Sequence, residues 1–89
     1  MPYYIYIIQS ETDNSYYKGF SENPAQRILQ HNNGESLYTS RKIPWRLVHV
    51  EICMDKKAAL IREKNLKKAT TQRIEAIILS TKNIVHQFL

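Results

Sequence analysis

Apolar positions along this chain alternate first and then recur at helical spacing, and that order predicts its elements. Tyr4-Ile5-Tyr6-Ile7-Ile8 is β-branched and aromatic, a strand with Tyr4, Tyr6 and Ile8 on one face and Tyr3, Ile5 and Ile7 on the other. Thr12, Asp13, Asn14 and Ser15 offer the local side-chain hydrogen bonds that favour a turn. Tyr16 to Phe20 then returns as a second strand in which Tyr17 and Gly19 share a face. A glycine inside a strand marks a bulge or a close approach to the backbone, and substrate is one candidate for what approaches. Ser21 or Asn23 can cap the helix that follows, Pro24 suits its first position, and Gly34 stops it after about Asn33. Ala25, Ile28, Leu29 and Asn32 form its inner stripe. Arg27 and His31 are i, i+4 neighbours on a nearly opposite face and fall outside the core by pattern.

The second half repeats the order. Residues 35 to 43 are polar and irregular, and Trp45 to Ile52 alternates as a third strand, with Trp45, Leu47 and His49 assigned to one face, so that His49 reads as structural rather than as a metal ligand. Asp55 caps a helix running to about Lys68, in which Glu63 lies on or beside the buried stripe and forms an i, i+4 pair with Lys67. Thr71 caps a last helix; Ile74, Ile77, Ile78 and Thr81 line it, and Ile84, Val85 and Phe88 could extend the stripe. If its last turn covers nothing, Val85, Phe88 and Leu89 form an apolar patch and a homodimer through the C-terminal helix becomes an option. Three strands and three helices in 89 residues make one α+β domain, residues 1–89.

Composition narrows the partners. The single Cys53 cannot form an internal disulfide, and with no signal-peptide pattern and no apolar run near 18 residues the chain reads as an intracellular, cytoplasmic protein that does not engage a membrane. Cys53 itself reads as a small buried hydrophobe. The formal charge of +5 is unevenly placed: residues 1 to 40 hold two basic and four acidic side chains, residues 41 to 73 ten basic and three acidic. Such clustering is the footprint of a polyanion binder, and from charge alone an ordinary solvated surface explains it equally well. No cluster of His, Cys and carboxylate has zinc spacing.

Ordered motifs tip the balance. Tyr4-Ile5-Tyr6, then Tyr17-Lys18-Gly19, Arg27, His31, Tyr38-Thr39-Ser40-Arg41, Pro44-Trp45-Arg46-Leu47-Val48 and Arg62-Glu63 together resemble the GIY-YIG nuclease family, in particular its small single-domain members. These are similar to the N-terminal nuclease part of the bacterial excision-repair incision subunit. The chain departs from the pattern at Tyr4, where the family has its first glycine, and at Lys18, where it has an aliphatic residue. The resemblance implies a small three-stranded antiparallel sheet flanked by about three helices. It also implies an endonuclease that hydrolyses phosphodiester bonds, in DNA before RNA, in a repair or recombination setting.

By the same resemblance Glu63 would hold one Mg²⁺ or Mn²⁺, Arg27 would bind the scissile phosphate, and Tyr6 would activate water with Tyr17 assisting and His31 as a further catalytic part. Arg41, Lys42, Arg46, Lys64, Lys67 and Lys68 would touch the nucleic-acid backbone. If so, Tyr6, Tyr17, Arg27 and Glu63 must line one solvent-accessible cleft. Tyrosine is a poor base near neutrality, its ordinary pKa being about 10, so nearby cations are expected to favour its phenolate. Each residue also has a plainer reading: Tyr6 and Tyr17 as sheet packing, Arg27 as a surface arginine, His31 as a helix-end histidine, Glu63 as half of a weak ion pair. A binding module of the same fold that no longer cleaves, with Tyr17 and Tyr38 as stacking platforms, or a small protein-interaction domain, are the alternative functions.

Overall fold

The structure is a computed structural model that describes residues 2–89. Strands β1 (Tyr3–Ser10), β2 (Tyr16–Ser21) and β3 (Trp45–Cys53) form one antiparallel sheet in the order β2-β1-β3. β1 takes the centre because Ile5, Tyr6, Ile7 and Ile8 are all buried, so both of its faces need cover. On one face Ile5 and Ile7 pack with Leu66 of α2 (Lys56–Lys67) and with Ile74 and Ile77 of α3 (Thr71–Ile78). On the other, Tyr6 and Ile8 pack with Trp45, Leu47 and Val50, joined by Ile28 of α1 (Pro24–Asn32) and by Ile84, Val85 and Phe88.

Helix starts follow the capping chemistry. Asn23 accepts from the Gln26 N–H, Asp55 from that of Ala58, and Thr70, one residue before the expected Thr71, from that of Arg73. Gly34, just past α1, takes φ +76°, the left-handed conformation that ends a helix.

Two expectations fail for identifiable reasons. β3 carries a bulge, since Ile7 pairs with His49 and Ile8 with Leu47, leaving Val48 extra. The inserted residue reverses the alternation, so His49 does not share a face with Trp45 and Leu47. It bonds Glu51 (Nε2 to Oε2, 2.8 Å), which Arg62 of α2 binds in turn at 2.9 Å. Nor does the α3 stripe run on to Phe88. The helix ends at Ile78, and Asn83 accepts from the Val50 N–H while donating to the Val48 and Ile78 carbonyls, turning the chain across the outer edge of β3. Val85 and Phe88 therefore pack on the opposite face, Phe88 edge-on against Tyr4 with ring centres 5.2 Å apart. The apolar patch proposed for a homodimer is thereby reduced to Leu89, which is 86% exposed.

Candidate active site

Tyr6 is placed by its neighbour across the sheet. It pairs with Gly19 of β2, and a Cβ on Gly19 would lie 2.5 Å from the Tyr6 hydroxyl oxygen and 2.6 Å from Cζ. The glycine thus makes room for the tyrosine ring of the protein itself. Lying flat over that gap, Tyr6 is only 2% exposed, and its hydroxyl stands 2.9 Å from His31 Nε2. The opposite ring nitrogen, Nδ1, is 2.7 Å from Thr39 Oγ1, and the Thr39 hydroxyl has the Ser36 carbonyl at 3.4 Å.

His31 is therefore fully buried, contrary to the helical pattern that put it outside the core. Polar bonds fix α1 together with Pro24 and Ile28, which face the sheet with His31: Asn32 donates to the Trp45 carbonyl at 2.9 Å and accepts from the Trp45 N–H at 2.6 Å. With Asn32 fixed, His31 faces the sheet, while Leu29 is left 64% exposed. Burial, aided by the Arg27 charge, brings the His31 pKa down to about 4, so the imidazole is neutral at physiological pH.

Tyr17, Arg27 and Glu63 complete the surroundings of the Tyr6 hydroxyl. Burial pushes its pKa up to about 12; Arg27 opposes this by charge and hydrogen bonding, whereas Tyr17 and Glu63 reinforce it. The expected cationic activation of Tyr6 is thus outweighed by desolvation in the free protein. Tyr17 packs edge-on against the His31 ring at 5.2 Å, and Arg27 Nη1 donates to Gln30 at 2.9 Å. Glu63 lies 3.5 Å from Lys67 Nζ, with side-chain exposures of 17% and 56%. That ion pair is long and open on the lysine side, worth a few tenths of a kcal/mol, and leaves the carboxylate free to exchange partners.

Among the described residues no three His, Cys, Asp or Glu side chains gather into a ligand cage. A single carboxylate fits Mg²⁺ or Mn²⁺, which accept one protein oxygen with water and substrate phosphate as further ligands, and does not fit a zinc site. Of the six cations expected on the nucleic acid, Lys67 lines a cleft of about 330 Å³ with Tyr16, Tyr17, Lys18 and Tyr38. Lys42 is held by Asp13 at 3.2 Å and Arg46 by Gln9 at 2.9 Å, while Arg41, Lys64 and Lys68 are exposed. Tyr6 lies buried and Arg27 half-buried, so the open cleft presents Tyr17 but not the full set expected to line it. Sequence reasoning gave no role to Thr39 or Lys18. Most buried histidine nitrogens are partnered, and a threonine eight residues on was the available signal; the buried Nδ1 of His49, by contrast, has no hydrogen-bond partner among the described residues.

The chain is similar to known proteins over most of its length. Residues 2–75 match the GIY-YIG catalytic domain. The UPF0213 protein of Clostridium perfringens is 37% identical over 83 residues, covering 91% of this chain and 86% of that protein. That of Staphylococcus saprophyticus is 38% identical over 72 residues, covering 80% and 87%. The solution NMR structure of a UPF0213 protein from Bacillus halodurans superposes with a TM-score of 0.59 at 28% identity, over 92% of this chain and 87% of the other. No helix among the described residues is long and apolar enough to cross a membrane.

Proposed function

The chain belongs to the GIY-YIG family, and from that premise we propose that it is a divalent-metal-dependent endonuclease acting on DNA in preference to RNA, in the cytoplasm and in a repair or recombination setting. The observation that carries the reading is the 2.9 Å contact between the Tyr6 hydroxyl and His31 Nε2, in a site where Arg27 and Glu63 both act on that hydroxyl.

Arg27 binds the scissile phosphate and offsets the charge that grows on its oxygens. Glu63 would hold the cation, which would supply charge neutralisation for the phosphoryl oxygens and the leaving alkoxide. Thr39 accepts from His31 Nδ1–H and donates its own O–H hydrogen bond to the Ser36 carbonyl, which leaves Nε2 as the acceptor for Tyr6. The attacking water then passes a proton to the Tyr6 oxygen as Tyr6 passes its own to Nε2. With Tyr6 near 12 and His31 near 4, that transfer costs on the order of 10 kcal/mol in the free protein, so the resting site holds no phenolate. Phosphate in contact with the site stabilises the imidazolium and lowers this cost.

The test is pure protein incubated with labelled linear, flapped and single-stranded DNA and RNA, with and without Mg²⁺ or Mn²⁺. Cleavage is expected only with metal and is lost in Glu63→Ala, Arg27→Ala and Tyr6→Phe with the fold retained. A binding module without catalysis is the second reading, and the open cleft in which Tyr17 and Tyr38 stand beside Lys18 and Lys67 is the observation that favours it. Folded wild-type protein that binds these probes but cuts none of them would favour that second reading instead.

A further inference from the structure

The cleft beside the catalytic tyrosines joins two chemistries that the hydrolytic step does not use. One wall is aromatic: Tyr38, 81% exposed, meets Tyr17 with ring centres 5.6 Å apart at 44°. The other is cationic. Lys18 and Lys67 both line the cleft, and their charges repel, since burial and then Lys67 lower the Lys18 pKa. Lys67 has Glu63 beside it, while Lys18 shows no carboxylate within ion-pair distance among the described residues. An anion in the cleft would relieve that repulsion.

Tyr38 is exposed but not loose. The next residue, Thr39, is fully buried, its hydroxyl on His31 and its carbonyl accepting from Trp45 Nε1 at 2.9 Å. A bare aromatic ring on a backbone anchored this firmly is an unusual use of surface, because it leaves apolar area in water without gaining mobility. The Tyr17 and Tyr38 rings already touch at 5.6 Å, so nothing inserts between them. The outward face of Tyr38 is what remains for a partner.

We propose that this cleft receives one unpaired nucleotide next to the scissile phosphate, its base stacked on the free face of Tyr38 and its phosphate between Lys18 and Lys67, so that the substrate is a strand with an unpaired end, flap or loop. A paired base inside a duplex has both faces covered by its neighbours and cannot stack on a side chain. Stacking also tolerates any base, so the site reads strand structure and not sequence. The inference deepens the nuclease reading and rests on it for the identity of the phosphate that is cut. Binding can be measured separately from cutting.

Fluorescence anisotropy with labelled oligonucleotides in EDTA, where no cleavage intervenes, is the test. The probes are a single strand, a flapped duplex and a blunt duplex, each as DNA and as RNA, with wild type, Tyr38→Ala, Tyr38→Phe and Lys18→Ala. Unpaired probes of either sugar are expected to bind about tenfold tighter than the blunt duplex, the size of one base–aromatic stack. Tyr38→Ala should erase that preference without changing duplex binding, and Tyr38→Phe should keep it. Lys18→Ala should weaken unpaired probes several-fold and lower the salt slope by about 1. Tyr38→Ala weakening all probes alike, a blunt duplex bound as tightly as a single strand, or no binding to any probe would overturn the proposal. Wild type that prefers unpaired probes through Tyr38 yet cuts none would refute the catalytic reading and leave this one standing. Near-unchanged thermal melting of the Tyr38 variants confirms that the comparison is between folded proteins.

Discussion

His31 ties site chemistry to stability. Its pKa falls from 6.5 to about 4 on folding because burial penalises the imidazolium, so between those values the unfolded chain binds a proton that the folded one refuses. Stability is full above pH 6.5 and is lost as pH falls toward 4. Urea titrations should show a loss of about 2 kcal/mol between pH 7 and pH 4.5, and His31→Gln should remove most of it; an unchanged pH profile in that variant would refute the assignment. Glu51 titrates in a separate window. Burial alone would raise its pKa, but hydrogen bonds from His49 and Arg62 hold it at about 2, so its contribution fades only as pH falls from 4.5 toward 2. The rigid Tyr6 ring over Gly19 belongs to this scale too: the glycine was legible as a close approach, but what approaches it depends on a pairing across strands that local pattern does not encode.

Among the elements, strand and helix identities were legible because each has a strong local cause: β-branched and aromatic runs, Asn23 and Asp55 at caps, Gly34 at a stop. What escaped was orientation. α1 is turned by the two Asn32 bonds to Trp45, which override the stripe of Ala25 and Leu29. The β3 bulge moved His49 to the α2 face, where with Glu51 and Arg62 it forms a buried polar cluster. Both effects arise from contacts more than ten residues apart. Glu51→Ala leaves His49 and Arg62 without their anion and should cost about 3 kcal/mol in urea unfolding, toward the low end for a broken buried pair, because the Arg62 side chain is 30% exposed and can recover water. A loss under ~1 kcal/mol, the value of an ordinary surface pair, would show that the cluster is not what fixes α2 to the sheet.

For the molecule as a whole, basic residues crowd residues 41 to 73, but they are not equal in the fold. Lys42 is engaged by Asp13 at 3.2 Å, whereas Arg41 is exposed with no carboxylate within ion-pair distance among the described residues. Nucleic-acid affinity should fall steeply with salt, and Arg41→Ala should reduce the slope by about 1 while Lys42→Ala reduces it less; affinity flat between low and physiological salt would contradict a phosphate-led interface. Composition made the charge legible, and only the fold shows which charges are free. The Asn83 clasp has a consequence for neighbouring copies of the chain. A strand at the end of a sheet is a template on which a foreign strand can assemble, and here one amide holds the Val50 N–H and the Val48 carbonyl that such a strand would use. Asn83→Ala should turn that edge into a nucleus for polymer growth, visible as light scattering that rises with protein concentration while the wild type stays clear; a variant equally clear at equal concentration would show that the bulge and the Ile84 N–H on the Val50 carbonyl are enough to keep the edge closed.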